Sequence, residues 1–152
     1  MNTFKKSFTL LLFSLIGSHC IITASNAAGY IKVREADGIR ECSIPATVGD
    51  HAVDRRGCTN DQAYTVKFVD VPSALNITFF DDKKNDYCLD DEGWEIEVRT
   101  IKNPTTTDYI DITAMANVPN DTLVEPGILK IRYRQDGQVH GKLSCVRIEN
   151  DK

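Results

Sequence analysis

Histidine occurs three times, methionine twice and tryptophan once in 152 residues, and these scarcities exclude several kinds of chemistry before any pattern is read. His51 and His140 each stand alone, without a second histidine at metal-binding spacing. No Gly-x-Ser-x-Gly elbow, Cys-x-x-Cys pair or phosphate-cradling glycine loop is present. That removes the usual signatures of a serine hydrolase, a thiol redox enzyme, a zinc ribbon and a nucleotide-binding domain. No long helical pattern is visible either. A chain without a catalytic set is expected not to be an enzyme.

What is present begins with a leader. Lys5 and Lys6 precede the apolar run Phe8 to Ile16, and small residues lead on to Ser25-Asn26-Ala27. The run is short for a membrane span and is interrupted by His19 and Cys20, so residues 1–27 read as a secretory signal peptide cut after Ala27. Residues 28–152 are then one periplasmic or secreted domain with no membrane insertion. Loss of Lys5 and Lys6, with no acidic residue, moves the formal charge from −4 to more acidic still. Such a field repels nucleic acid and steers a basic protein or a divalent cation inward.

Cleavage also leaves an even set of cysteines, Cys42, Cys58, Cys88 and Cys145, and two structural disulfides are expected in an exported chain. Four cysteines allow three connectivities. An internal repeat favours one of them. Tyr30-Ile-Lys-Val-Arg through Cys42 has the layout of Asn76-Ile-Thr-Phe-Phe through Cys88, and Asn60 to Phe68 aligns without gaps to His140 to Ile148. The alignment sets Ile31 and Val33 against Ile77 and Phe79, and Tyr64, Val66 and Phe68 against Ser144, Val146 and Ile148. Two β motifs are implied, 28–70 and 74–152. With Cys42 and Cys88 equivalent, each copy closes on itself, giving Cys42–Cys58 and Cys88–Cys145.

The second copy carries an insertion of about thirty-four residues that has strands of its own. Trp94 to Ile101 and Ile128 to Arg134 alternate apolar and polar residues, as half-buried antiparallel strands do. Ile110 to Asn117 reads as a single helical turn or a further strand.

The run Asn60-Asp61-Gln62-Ala63-Tyr64-Thr65, then Val66-Lys67-Phe68, Val71-Pro72-Ser73 and a new strand at Asn76 to Phe80, resembles the βγ-crystallin superfamily. The resemblance implies an all-β, two-motif Greek-key β-sandwich, with the inserted β-rich segment in its second motif. It also implies calcium as the one cofactor. That family binds calcium with the acidic pair of one motif and the hydroxyl of the other. Here the first copy supplies Asn60 and Asp61 but has Tyr64 at the hydroxyl position. The second supplies Ser144 but has His140 and Gly141 at the acidic pair. One composite site, Asp61 with Ser144, is what the resemblance implies.

A second acidic region, Asp81, Asp82, Asp86, Asp90, Asp91 and Glu92, lacks the glycine and helical flanks of an EF-hand, with Lys83 third and Asp86 sixth. It reads as a solvated loop that would meet a basic partner surface. Trp94, at the start of an alternating strand, either packs in the core with Ile96 and Val98 or anchors a partner at the surface. The expected function is therefore an exported binding protein, such as an inhibitor or immunity factor against a toxin or hydrolase. A secreted toxin or a calcium-stabilised envelope protein are the alternatives.

Overall fold

The computed structural model describes residues 29–90 and 93–151. The expected leader, and Asp91 and Glu92 of the acidic region, lie outside the described residues. Among the described residues twelve strands are formed: β1 Tyr30–Glu35, β2 Glu41–Pro45, β3 Gly49–Ala52, β4 Ala63–Val69, β5 Leu75–Phe80, β6 Lys83–Lys84, β7 Tyr87–Cys88, β8 Glu95–Thr100, β9 Ile110–Asp111, β10 Leu123–Glu125, β11 Ile128–Arg134 and β12 Cys145–Asn150. A 3-10 turn, Val53–Arg56, comes after β3, and a short helix, α1 Ile112–Asn117, comes after β9. The segment from Ile110 is thus a strand end and a helical turn in succession. Asp111 caps that helix by accepting a hydrogen bond from the Ala114 N–H at 2.9 Å.

Two antiparallel sheets hold the core between them. One runs β2-β1-β4-β9 and the other β10-β11-β8-β5-β12-β3, while β6 and β7 form a separate hairpin. Ile31, Val33, Val66 and Phe68 of the first sheet and Ile77, Phe79, Val146 and Ile148 of the second are fully buried in one shared cluster. Burying such side chains is the main favourable term in folding. Period-two alternation produces this arrangement, since each strand turns every second residue to the same face. The strands β3 and β9 cross over. The third strand of the N-terminal half joins the second sheet beside β12, and β9 of the C-terminal half joins the first sheet beside β4.

Both disulfides have the expected partners, Cys42–Cys58 and Cys88–Cys145. The equivalence that suggests them does not hold. Cys42 sits on β2 opposite Val33 and faces the shared core, whereas Cys88 sits on the separate hairpin. Cys88 bonds to Cys145 on the outer face of the second sheet, where the two pack with Phe80 in a small cluster of their own. The partner of β5 that corresponds to β2 is β8, which lies beyond the hairpin.

The strand β11 also departs from its simple alternation. Ile128 and Lys130, two residues apart, share the inward face, and the register shift between Lys130 and Arg132 then brings Tyr133 to the same side. Lys130 is 2% exposed. Its ammonium reaches the C-terminal end of α1, donating to Ala116 O and, at 2.5 Å, to Val118 O. A cation there satisfies carbonyls that the helix itself cannot. Burial holds the Lys130 pKa below its ordinary value. Lys130→Met keeps the bulk and orphans the two carbonyls, and urea denaturation at pH 7 is expected to show a loss of about 1–3 kcal/mol.

Candidate functional site

The β6–β7 hairpin grows from sequence too short and too polar to show a period. Its turn is Asn85-Asp86, with Lys84 paired to Tyr87 and Lys83 to Cys88. Asn85 has φ 57°, a left-handed conformation that asparagine tolerates better than most residues. Asp82 starts the hairpin by accepting from the Lys83 N–H at 2.6 Å and closes it by accepting from the Leu89 N–H at 3.3 Å through its backbone carbonyl. The tip presents Tyr87, which is 69% exposed.

Tertiary ties hold this small element. The Cys88–Cys145 bond fixes its second strand to β12. Arg147 of β12 donates to both carboxylate oxygens of Asp50, at 2.7 and 3.2 Å, to Cys88 O at 2.8 Å and to Asp90 at 2.5 Å. The Cys88 N–H donates to Asp50 at 3.0 Å. On the other side Lys83 bonds Asp54 at 2.7 Å and Arg55 bonds Asp86 at 2.9 Å. Burial alone would push the Asp50 carboxyl up, but the Arg147 guanidinium and the Cys88 N–H outweigh it and hold the pKa below its usual range. The same pairing holds the Arg147 pKa above its ordinary value.

The acidic residues singled out from sequence are thereby divided among different tasks. Asp86 and Asp90 are paired with Arg55 and Arg147 at the surface, and Asp82 turns its side chain into the hairpin. Asp81 is half-buried beneath the loop, its N–H donating to Trp94 O at 3.2 Å. Burial raises the Asp81 pKa, and the negative charges of Asp61 and Asp82 add to the effect. Trp94 is 0% exposed and belongs to the shared core. This corrects its candidacy as a surface anchor: β8 begins immediately after it, and its ring faces the inter-sheet space. Tyr87 is not legible as a contact residue in the sequence, because nothing in its neighbourhood says that the tip projects.

A second cluster forms beside Asp81. Ser144 Oγ donates to Asp61 Oδ1 at 3.0 Å, joining residues 83 apart in sequence. Lys142 Nζ lies 3.9 Å from Asp61 Oδ2, and Asn60 Oδ1 is buried with no hydrogen-bond partner among the described residues. Gly141 has φ 69°, and a Cβ there would come within 2.8 Å of the Tyr64 ring, so glycine is what lets the two segments close. His140 packs edge-on against Tyr64 with ring centroids 4.1 Å apart. No group of three or more His, Cys, Asp or Glu side chains suited to a metal ion occurs among the described residues. No described helix is long and apolar enough to cross a membrane.

Comparison with protein-family models, with curated proteins and with solved structures finds no match to this chain.

Proposed function

We propose that this chain is an exported, non-enzymatic binding protein, an inhibitor or immunity factor for a toxin or hydrolase, that docks through the stapled β6–β7 hairpin. The observation that carries this reading is Tyr87, a large amphipathic ring 69% exposed at the tip of an element tied down by a disulfide and a part-buried arginine. An aromatic anchor that is already ordered loses little conformational entropy on binding. Asp86, next to Tyr87 in the turn, is exposed beside it, and the acidic charge of the chain favours a partner with a basic surface. The two disulfides fit an oxidising compartment, which supports export.

Tyr87→Ala is expected to weaken binding of a captured partner by tenfold or more while leaving the thermal midpoint unchanged, because an exposed tip side chain contributes to no core. Affinity capture from the exported fraction, then titration of the captured protein against both forms, checks this. Equal affinities, or no saturable partner, count against the reading.

A crystallin-like origin with calcium is the second reading. The exchange of β3 and β9 between sheets supports it, as does the approach of Asp61 to Ser144. Two interlocked Greek-key units give such an exchange. The side chains available to hold a cation are Asp61, Asp81, Ser144 and the unpartnered amide oxygen of Asn60, all hard oxygen donors that suit calcium. A cation bound there would relieve the repulsion between Asp61 and Asp81. Millimolar calcium is therefore expected to raise the thermal midpoint of the native protein by several degrees and to leave Asp61→Asn unmoved. An unchanged midpoint in the native protein removes calcium from the account.

A further inference from the structure

Beside the hairpin, a cleft of about 520 Å³ is lined by Asp50, His51, Ala52, Arg55, Arg56 and Asp86. Its carboxylates are already engaged, Asp50 by Arg147 and Asp86 by Arg55. Arg56 has no carboxylate partner among the described residues. Its one hydrogen bond there runs from Nη2 to His51 Nδ1 at 3.1 Å. His51 is only 6% exposed, and its Nε2 lies 2.8 Å from Thr47 O. A carbonyl can only accept and a guanidinium can only donate, so the two contacts together place the ring proton on Nε2 and make Nδ1 the acceptor. A buried imidazole thus anchors on Thr47 O through one nitrogen and holds an exposed arginine with the other.

That is an uncommon use of a buried polar group. Arginine loses much rotamer freedom when it binds, and a guanidinium already held in place offers its remaining N–H groups as a ready fork for an oxyanion. Arg55, one residue away on the same 3-10 turn, is paired with Asp86, which offsets that carboxylate and leaves the cleft's charge at Arg56. Carboxylate and planar guanidinium match in a two-point contact.

We propose that this cleft receives a carboxylate side chain of the same protein partner that the hairpin docks, with Arg56 as the binding residue and His51 as its positioning residue. The inference rests on the reading of the hairpin as a docking element and adds the chemistry of the segment beside it. Tyr87 would take the apolar contact and Arg56 an acidic one. Specificity would then come from the spacing between an apolar pocket and a Glu or Asp on the partner.

The test uses the isotope-labelled, disulfide-bonded protein at low salt, titrated with acetyl-Gly-Glu-Gly-amide, with the corresponding Gln peptide and with inorganic phosphate. Saturable shifts of the Arg56 Nε–Hε resonance and the His51 Nδ1 resonance are expected with the Glu peptide and not with the Gln peptide. Arg56→Lys, an exposed change that leaves folding intact, is expected to weaken the Glu peptide at least tenfold. Tyr87→Ala is expected to leave that affinity unchanged, so failure of the cleft and failure of the hairpin reading are separate results. Equal shifts with both peptides, equal affinity in Arg56→Lys, or phosphate binding tenfold tighter than the Glu peptide would each overturn the proposal.

Discussion

Replacing Cys88 and Cys145 together by alanine is expected to lower the stability of the protein by about 4 kcal/mol, a large share of what holds a domain of this size together. The bond spans 57 residues of sequence, and the chain-entropy cost that it removes from the unfolded state grows with that span. Both sulfurs are buried, so their loss also thins the small cluster around Phe80. Cys42–Cys58, across 16 residues, is expected to contribute about 3 kcal/mol by the same reasoning. The two losses have different consequences. Without Cys42–Cys58 the inter-sheet core loses a cross-link but keeps its strands. Without Cys88–Cys145 the hairpin loses its covalent tie to β12, so partner affinity falls along with stability. Guanidinium denaturation of the double variant, and titration with a captured partner, measure both. A loss below about 1 kcal/mol with unchanged partner affinity would show that the ion pairs alone hold the hairpin.

Those ion pairs converge on Arg147, and Arg147→Met is expected to cost about 2–4 kcal/mol at pH 7. Its guanidinium makes four hydrogen bonds to Asp50, Asp90 and Cys88 O, and it also lies 5.0 Å from the centroid of the Phe80 ring. Methionine preserves contact with that ring but leaves Asp50, whose side chain is 15% exposed, without a counter-ion. The size of the loss comes from that uncompensated, part-buried charge. The dependence on pH gives a second signature. The Asp50 pKa is held below its unfolded value, so its contribution is fully present above the unfolded pKa and is lost as pH falls through the folded one. In the native protein this component begins to be lost near about pH 4, the ordinary Asp value, and is gone only once the pH lies below the lowered folded pKa. In Arg147→Met the acid limb of the stability curve is expected to be shallower. A variant as stable as the native protein, with the same acid limb, would remove Arg147 from its place at the centre of the site.

Much of the sandwich is legible in the sequence because period-two alternation reports which face is buried. Ile31 and Val33, Ile77 and Phe79, and Val146 and Ile148 all turn into the shared core as their pattern requires. The pairing of Asp61 with Ser144 is expected only through the crystallin-like resemblance and not from the repeat, and the two side chains are hydrogen-bonded. Other features are hidden for physical reasons. Lys130 shares the inward face of Ile128 although the apolar Leu129, Ile131 and Tyr133 suggest the other face, and nothing local in Ile128 to Arg134 signals the register shift that turns Tyr133 back toward the core. The expected pairing of the cysteines is correct although Cys42 and Cys88 are not equivalent, because a sequence-level repeat cannot distinguish a core-facing strand from a hairpin folded over the outer face. The hairpin itself leaves no mark in the pattern. Its strands are two residues long, and what orders them is a disulfide and charges contributed by β3, the 3-10 turn and β12. Distance in sequence conceals such a site: Asp50 and Arg147 are 97 residues apart.

Order in the hairpin before any partner arrives is the claim on which the functional reading stands. Backbone ¹⁵N relaxation of the free, oxidised protein measures it directly across Asp82 to Leu89. Order parameters of about 0.8 or higher, equal to those of the adjoining strands, are expected when Cys88–Cys145 and Arg147 hold the element. Values below about 0.6 at Asn85, Asp86 and Tyr87 would mean that the tip is flexible on the fast timescale, and would contradict a pre-ordered docking element.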